Sequence, residues 1–341
     1  MLNRKPIELL LFVFSSERAR PTMPGNTAKE KILVIKHGAL GDIVQGLDAF
    51  ASLRSGNPQA HITLMTSLRF ASLALMMPWF DNIIVDPRAS PFNFFAYLRI
   101  RRLFRKNWSI IVDMQCSGRT RKYFSHFRLS TTRWIGNAPG CSDPLPNFTG
   151  VNNRQRMMKA AEMAGGTDQT ADMLWLSVDN EGSFDHCHVD ATHSYAVLVP
   201  GCSSAKPLKR WPAKYFAAVG NDLLARGVEV YAVGTAEDRS TIDCVLTDAP
   251  DIIDLCGNTD VSALARLFCG ASYVIGNDTG PVFLAAKVGA PTLMVMGPET
   301  DPTMSAPIGK AASWLRASPI SSISVTDALT SLYNLGGGKK P

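Results

Sequence analysis

The chain has 341 residues, 46% of them hydrophobic and 19% charged, with a formal net charge of +6 at pH 7. That length and apolar content can bury two ordinary cores, which argues against a disordered chain and makes two domains the expectation. No stretch reaches the apolar length of a membrane span, and seven scattered cysteines without a CxxC pair suit a reducing cytoplasm better than a disulfide framework.

The chain opens with an apolar run, Ile7 to Phe14, behind Arg4 and Lys5. Glu8 interrupts the run, and Ser-Ser-Glu-Arg-Ala-Arg follows it where a signal peptide would carry a small-residue cleavage site. Residues 1–28 therefore read as a poorly ordered extension, with Met23 an alternative start. Residues 29–178 read as the first domain. Lys31 to Lys36 is a buried strand, His37-Gly-Ala-Leu-Gly41 a glycine turn, and Asp42 to Leu53 a helix with Ile43, Leu47 and Phe50 on its apolar side. Strand and helix then alternate: His61 to Thr66, Leu68 to Met77, Ile83 to Asp86, Asn93 to Arg105, Ser109 to Asp113, Ser117 to Phe127 and the strand Arg133 to Ile135. Continuous apolar strands separated by helices imply a parallel sheet covered on both faces. Residues 137–150, rich in proline and glycine, read as a loop, and Asn152 to Ala164 as a helix.

Between positions 88 and 133 the charge is lopsided. Arg88, Arg99, Arg101, Arg102, Arg105, Lys106, Arg119, Arg121, Lys122, Arg128 and Arg133 face only Asp113. Such a region attracts nucleic acid, an anionic membrane surface or a phosphorylated acceptor, unless it is simply a solvated helix face.

Residues 179–193 turn polar and read as the interdomain linker. They hold His186-Cys187-His188, whose alternating spacing is not that of a usual zinc site. A second alternating series fills residues 194–320. Its strands are Tyr195 to Val199, Val228 to Val233, Ile252 to Leu255, Tyr273 to Ile275 and Thr292 to Met296. Its helices are Pro212 to Ala225, Glu237 to Leu246, Val261 to Cys269 and Pro281 to Val288. A last helix, Ser321 to Leu335, ends at Gly336 to Gly338, so residues 321–341 are a C-terminal helix and tail.

The stretch from Val274 to Pro298 carries the chemistry. Its strand, Gly276 to Gly280 turn and proline-led helix make one βαβ unit, and the turn sets Asp278 and the N–H groups of Thr279 and Gly280 at a helix N-terminus. The dipole and unpaired donors there favour a phosphate, while a carboxylate accepts from hydroxyls; a sugar with a phosphate leaving group has both features. The ordinary alternative is that Asp278 caps the helix. Two doubly wound halves would place a ligand outside the carboxyl ends of their strands, in a cleft between facing domains.

The order of motifs resembles glycosyltransferase family 9, the ADP-heptose:lipopolysaccharide heptosyltransferases, over about residues 31–310. The parts that carry the likeness are Gly41-Asp42, Asp113-Met-Gln115, Pro200-Gly-Cys-Ser203 with Lys209-Arg-Trp-Pro212, Val233-Gly234 with Glu237, Leu255-Cys-Gly257, Gly276-Asn-Asp-Thr-Gly-Pro281 and Gly297-Pro298. The resemblance implies an α/β chain of the GT-B class: two Rossmann-like, doubly wound parallel-sheet domains facing across a cleft. It implies an ADP-heptose-like nucleotide-sugar donor on the C-terminal domain, an anionic lipopolysaccharide or related glycan acceptor on the N-terminal domain, and inverting transfer with no metal and no cofactor. Nucleic acid is not expected as a partner. The expected location is the cytoplasm, peripheral on the inner membrane's cytoplasmic face.

An acceptor hydroxyl is a weak nucleophile at neutral pH and needs a base. Asp42 matches the family's base, His37 in the same turn is the fallback, and Gly41, Gln115 and Arg119 are further acceptor-side candidates. The leaving diphosphate needs positive charge and N–H donors. Lys209 matches the family's phosphate-binding lysine, and Thr279 and Gly280 match its backbone donors. Ser203 or Ser204 can add a hydroxyl, Asp278 matches the residue that holds sugar hydroxyls, and Glu237 matches one that contacts the nucleoside. Asp42 and Glu237 also have an ordinary explanation, as acids complementing a helix dipole. The sequence departs from the family at Asp48, commonly proline, and at Phe283, commonly histidine, which makes the donor sugar a question. Alternatives are a GT-B enzyme using another nucleotide-sugar, an epimerase, and a non-catalytic nucleotide-binding protein. A Rossmann dehydrogenase is disfavoured, since His37-Gly-Ala-Leu-Gly41 does not have the GxGxxG spacing.

Overall fold

The computed structural model describes residues 13–15, 30–87, 94–128, 131–176, 194–203 and 205–336. The chain divides into two α/β units, each around its own sheet. The first comprises residues 1–39, 46–149 and 154–172, and the second residues 40–45, 150–153 and 173–341. The short segments 40–45 and 150–153 thus group with the second unit although sequence order embeds them in the first.

The first unit runs β1 (Val13–Ser15), β2 (Lys31–Ile35), α1 (Leu40–Gly56), β3 (His61–Thr66), α2 (Ala71–Met76), β4 (Asn82–Val85), α3 (Phe94–Phe104), β5 (Ile110–Asp113), α4 (Gly118–Phe127), β6 (Arg133–Gly136), β7 (Asp143–Pro144) and α5 (Asn153–Met163). Its strand order is β1-β4-β3-β2-β5-β6-β7. All of these pairings are parallel except β1 with β4. Central β2 is buried on both faces, with Ile32, Leu33, Val34 and Ile35 all at 0% exposure, which is why it reads as an unbroken apolar run. Leu33 and Ile35 join a core with Ile100, Phe104, Phe124 and Trp134 beneath α3 and α4. Phe104 stacks near Trp134 at 5.9 Å between ring centroids, and Phe124 meets that indole edge-on at 5.2 Å.

The second unit continues with β8 (Tyr195–Val199), α6 (Ala213–Ala225), β9 (Glu229–Ala232), α7 (Arg239–Asp248), β10 (Ile253–Asp254), α8 (Val261–Gly270), β11 (Tyr273–Asn277), α9 (Gly280–Lys287), β12 (Thr292–Met296), α10 (Pro302–Ser305), β13 (Ala312–Arg316) and α11 (Val325–Leu335). Its sheet, β10-β9-β8-β11-β12-β13, is parallel throughout. Leu198, Phe216, Val230, Ile275, Val295 and Leu332 share its core, so α11 is an integral part of this unit.

The differences from expectation lie at edges and helix entries. Val13–Ser15 falls in the stretch expected to be poorly ordered, and its backbone pairs antiparallel with the edge strand β4, whose outer N–H and C=O groups offer a template. Residues 143–144, expected as loop, add a two-residue edge strand beside β6. β13 was not expected; ASWLR has no continuous apolar run, and Trp314 stays 42% exposed, because an edge strand needs less burial. Residues 68–70 and 236–238 form single 3-10 turns ahead of α2 and α7. α11 begins at Val325, where the Ser324 hydroxyl accepts the Asp327 N–H at 3.1 Å. Residues 179–193, with His186, Cys187 and His188, lie outside the described residues.

Candidate active site

In the second unit the register sets Val199 beside Gly276 and Asn277 beside Val295, so the loops after β8, β11 and β12 leave the sheet at one level. Asn277, wholly buried at the end of β11, ties two of them together. Its Nδ2 donates to the Pro200 carbonyl at 2.8 Å, and its Oδ1 accepts the Trp211 N–H at 2.9 Å. That staple fixes the Lys209-Arg-Trp-Pro212 entry to α6.

Lys209 ends a 3-10 turn over residues 207–209. The turn lies so close to the loop after β12 that a Cβ on Gly297 would overlap the Leu208 carbonyl oxygen. Lys209 Nζ donates to Asp278 Oδ2, with side-chain exposures of 14% and 5%. The same oxygen accepts the Thr300 hydroxyl at 2.7 Å. Thr300 is held in turn by Arg316 of β13, whose Nε donates to the Thr300 carbonyl at 2.7 Å and whose Nη2 donates to the Pro298 carbonyl at 3.1 Å. Asp278 therefore does not cap the helix. The N-cap of α9 is Thr279, whose side chain makes no capping bond, and Gly280 opens the first turn. A buried ammonium–carboxylate pair thus stands beside the positive end of a helix. Ser203 and Glu237 are exposed on the loops after β8 and β9, and Ser204 lies outside the described residues.

The start of α1 belongs to this unit. A Cβ on Gly280 would come within 2.7 Å of Leu40 Cβ and 2.9 Å of the Gly41 nitrogen, so the first turns of α1 and α9 abut through backbone. Asp42, half-buried in the first turn of α1, accepts from Asn153 Nδ2 at 3.1 Å. Phe283 is buried, and its ring lies 3.0 Å from where a Cβ on Gly41 would sit. The Phe283 ring thus packs against Gly41, the residue before Asp42.

In the first unit, His37, Gln115 and Arg119 come together at the carboxyl ends of β2, β4 and β5. The His37 N–H donates to Gln115 Oε1 at 2.9 Å, and its ring Nε2 lies 3.0 Å from Asp86 Oδ2. Arg119 approaches the same carboxylate at 3.5 Å, and the Tyr123 hydroxyl donates to it at 2.9 Å. Burial and the neighbouring Asp86 push the Tyr123 hydroxyl up, so it remains a donor. Asp113 is fully buried, and burial raises its carboxyl above the ordinary value although the Gln115 and Cys116 N–H groups donate to it. Asp48 is 2% exposed and accepts from Arg154 Nε and the Ala171 N–H, both at 2.8 Å. Its role is to anchor α5 and residue 171 to α1.

Sequence reasoning passed over Asn277, Thr300, Arg316, Asn153 and Asp86. Asn277 stood inside a quoted motif, and Asp86 ends a strand as Asp113 does; Thr300, Arg316 and Asn153 carried no local signal.

Residues 151–328 match the family model described as glycosyltransferase family 9 (heptosyltransferase). The chain is 23% identical over 313 residues to lipooligosaccharide heptosyltransferase 2 of Haemophilus ducreyi, covering 84% of this chain and 88% of that one. A shorter match, 28% identical over 126 residues, is to lipooligosaccharide heptosyltransferase 2 of Haemophilus influenzae and spans 35% of this chain and 36% of that protein. Among solved structures, the E. coli ADP-heptose lps heptosyltransferase II superposes with a TM-score of 0.73 at 19% identity, covering 91% of this chain and all of that one.

Proposed function

Because the chain belongs to glycosyltransferase family 9, we propose that this glycosyltransferase moves a heptose from ADP-heptose onto a lipopolysaccharide core or related glycan, with inversion and with Asp42 as the base. The observation that carries the reading is the Lys209–Asp278–Thr300 cluster at the first turn of α9. A donor diphosphate meets Lys209 Nζ and the outward N–H groups of Thr279 and Gly280, while Asp278 accepts from sugar hydroxyls. Asp42 takes the proton of the acceptor hydroxyl as that oxygen bonds to the anomeric carbon. The carbon–oxygen bond to the diphosphate breaks on the opposite face, and the departing charge falls on Lys209 and the helix N-terminus. Asn153 holds one Asp42 oxygen, leaving the other for the acceptor. Glu237 and Ser203 supply nucleoside and phosphate contacts, and His37, Gln115 and Arg119 form the acceptor side. The protein then works in the cytoplasm, at the membrane face that presents a lipid-anchored acceptor.

The test is thermal stabilisation by ADP-, GDP-, UDP- and dTDP-linked sugars. A ligand at one hundred times its dissociation constant adds about 2.7 kcal/mol. Stabilisation by ADP-heptose that Lys209→Ala removes is the expected result; indifference to every nucleotide-sugar would count against the reading. Turnover of donor without an acceptor would point to an epimerase instead.

A further inference from the structure

We infer that the exposed face of α3 is a lipid-docking surface that seats the first unit on an anionic bilayer. The inference rests on the membrane placement proposed above and not on the transfer chemistry. α3 is held from beneath by Ala96, Ile100, Leu103 and Phe104, all buried, and Tyr97 meets Phe127 of α4 edge-on at 5.0 Å. The opposite face is divided along its length. Its first turn exposes Phe94 at 64%, Phe95 at 75% and Leu98 at 38%, although large apolar side chains elsewhere in this unit are mostly buried. Its last turn exposes Arg101 and Arg102, and Arg105 is exposed immediately after it; none of the three has a carboxylate partner among the described residues. At 1.5 Å per residue the apolar end stands about 10 Å from Arg101, comparable with the depth of ~5–10 Å at which an interfacial helix sits between headgroups and acyl chains.

Charge favours the same occupant. From position 94 to 128 the only acid is Asp113, which is wholly buried, while α4 adds the exposed Arg121, Lys122 and Arg128 beside α3. A surface of one sign with an apolar tip at one end matches an anionic headgroup layer over hydrocarbon. A single-stranded nucleic acid would call instead for aromatic rings interleaved with the cations, as stacking platforms. Here the two are separated.

The experiment is co-sedimentation of the full chain with vesicles of phosphatidylcholine and phosphatidylglycerol in equal parts, against phosphatidylcholine alone. The expected result is binding to the anionic vesicles only, weakened by salt. Each basic residue near such a surface contributes about a fivefold factor, so the triple variant Arg101→Ala, Arg102→Ala, Arg105→Ala should bind about 100-fold more weakly. The double variant Phe94→Ser, Phe95→Ser should bind more weakly with the salt dependence kept. As a second reading, Phe95→Trp should gain a blue-shifted emission component when anionic vesicles are added. Wild-type chain left in the supernatant, variants that sediment like wild type, an unshifted Phe95→Trp emission, or capture of single-stranded RNA in place of vesicles through the same residues would each overturn the proposal. Stabilisation by a nucleotide-sugar, measured without lipid, should be the same in all these variants, so failure here leaves the transferase reading standing and the reverse also holds.

Discussion

Lys209 and Asp278 illustrate how a buried ion pair is balanced at the scale of single residues. Each is mostly buried, so each needs the other before any ligand arrives, and Thr300 satisfies the carboxylate further. Lys209→Ala leaves Asp278 with one neutral donor; the expected cost is about 3 kcal/mol of stability, together with loss of nucleotide-sugar stabilisation, both read from thermal melts. Asp42 has a lighter structural duty, being half-buried with one amide donor. Asp42→Asn should therefore melt like wild type and still bind donor, while transfer falls by about 10²–10⁴-fold; unchanged transfer would remove Asp42 from the mechanism. Asp113 behaves differently. Burial raises its carboxyl, so the folded chain holds that proton more tightly than the unfolded chain does. Its contribution to stability is greatest below the unfolded value of about 3.9 and is lost as pH rises through the raised folded value. The stability gap between Asp113→Asn and wild type, measured by denaturant, should shift in favour of the variant as pH rises across that window, at up to ~1.4 kcal/mol per pH unit. Parallel profiles would contradict this.

At the scale of elements, the site depends on backbone meeting backbone. The 207–209 turn reaches the loop after β12 only because Gly297 has no Cβ. Gly297→Ala must push that turn outward and carry Lys209 with it. It should cost about 1–3 kcal/mol and weaken donor stabilisation, whereas truncating the exposed Leu208 side chain, which leaves that carbonyl in place, should do neither. The first turns of α1 and α9 approach through Gly280 and Gly41 for the same reason. These glycines were visible in the sequence as motif members, but the partner each one faces was not, because Leu208 and Leu40 are distant in the chain and carry no pattern of their own. Elements buried on both faces were legible almost to the residue: His61–Thr66, Tyr195–Val199 and Thr292–Met296 match their expected spans. Edge strands β1, β7 and β13 were not, since one-sided pairing asks for little hydrophobicity.

At the scale of the whole molecule, each unit has its own sheet and core, and α11 completes the second. A fragment of residues 194–336, which keeps the whole second sheet and its core but not residues 40–45 and 150–153 of that unit, should therefore melt cooperatively; a fragment that shows no melting transition would refute that autonomy. The repeated βα alternation by itself determined the α/β class and the doubling of the architecture, because period and apolar run length are local quantities. The motif order by itself pointed to the family. Only the tertiary structure decided that Asp278 pairs with Lys209 and not with its own helix, that Thr300 and Arg316 stand behind that pair, that Asp48 is an internal anchor, and that Phe283 lies against Gly41. The physical reason is common to all four. A buried polar or aromatic group must find its partner wherever folding brings one, and the separations involved, from 16 residues between Thr300 and Arg316 to 242 between Gly41 and Phe283, lie far beyond any local period.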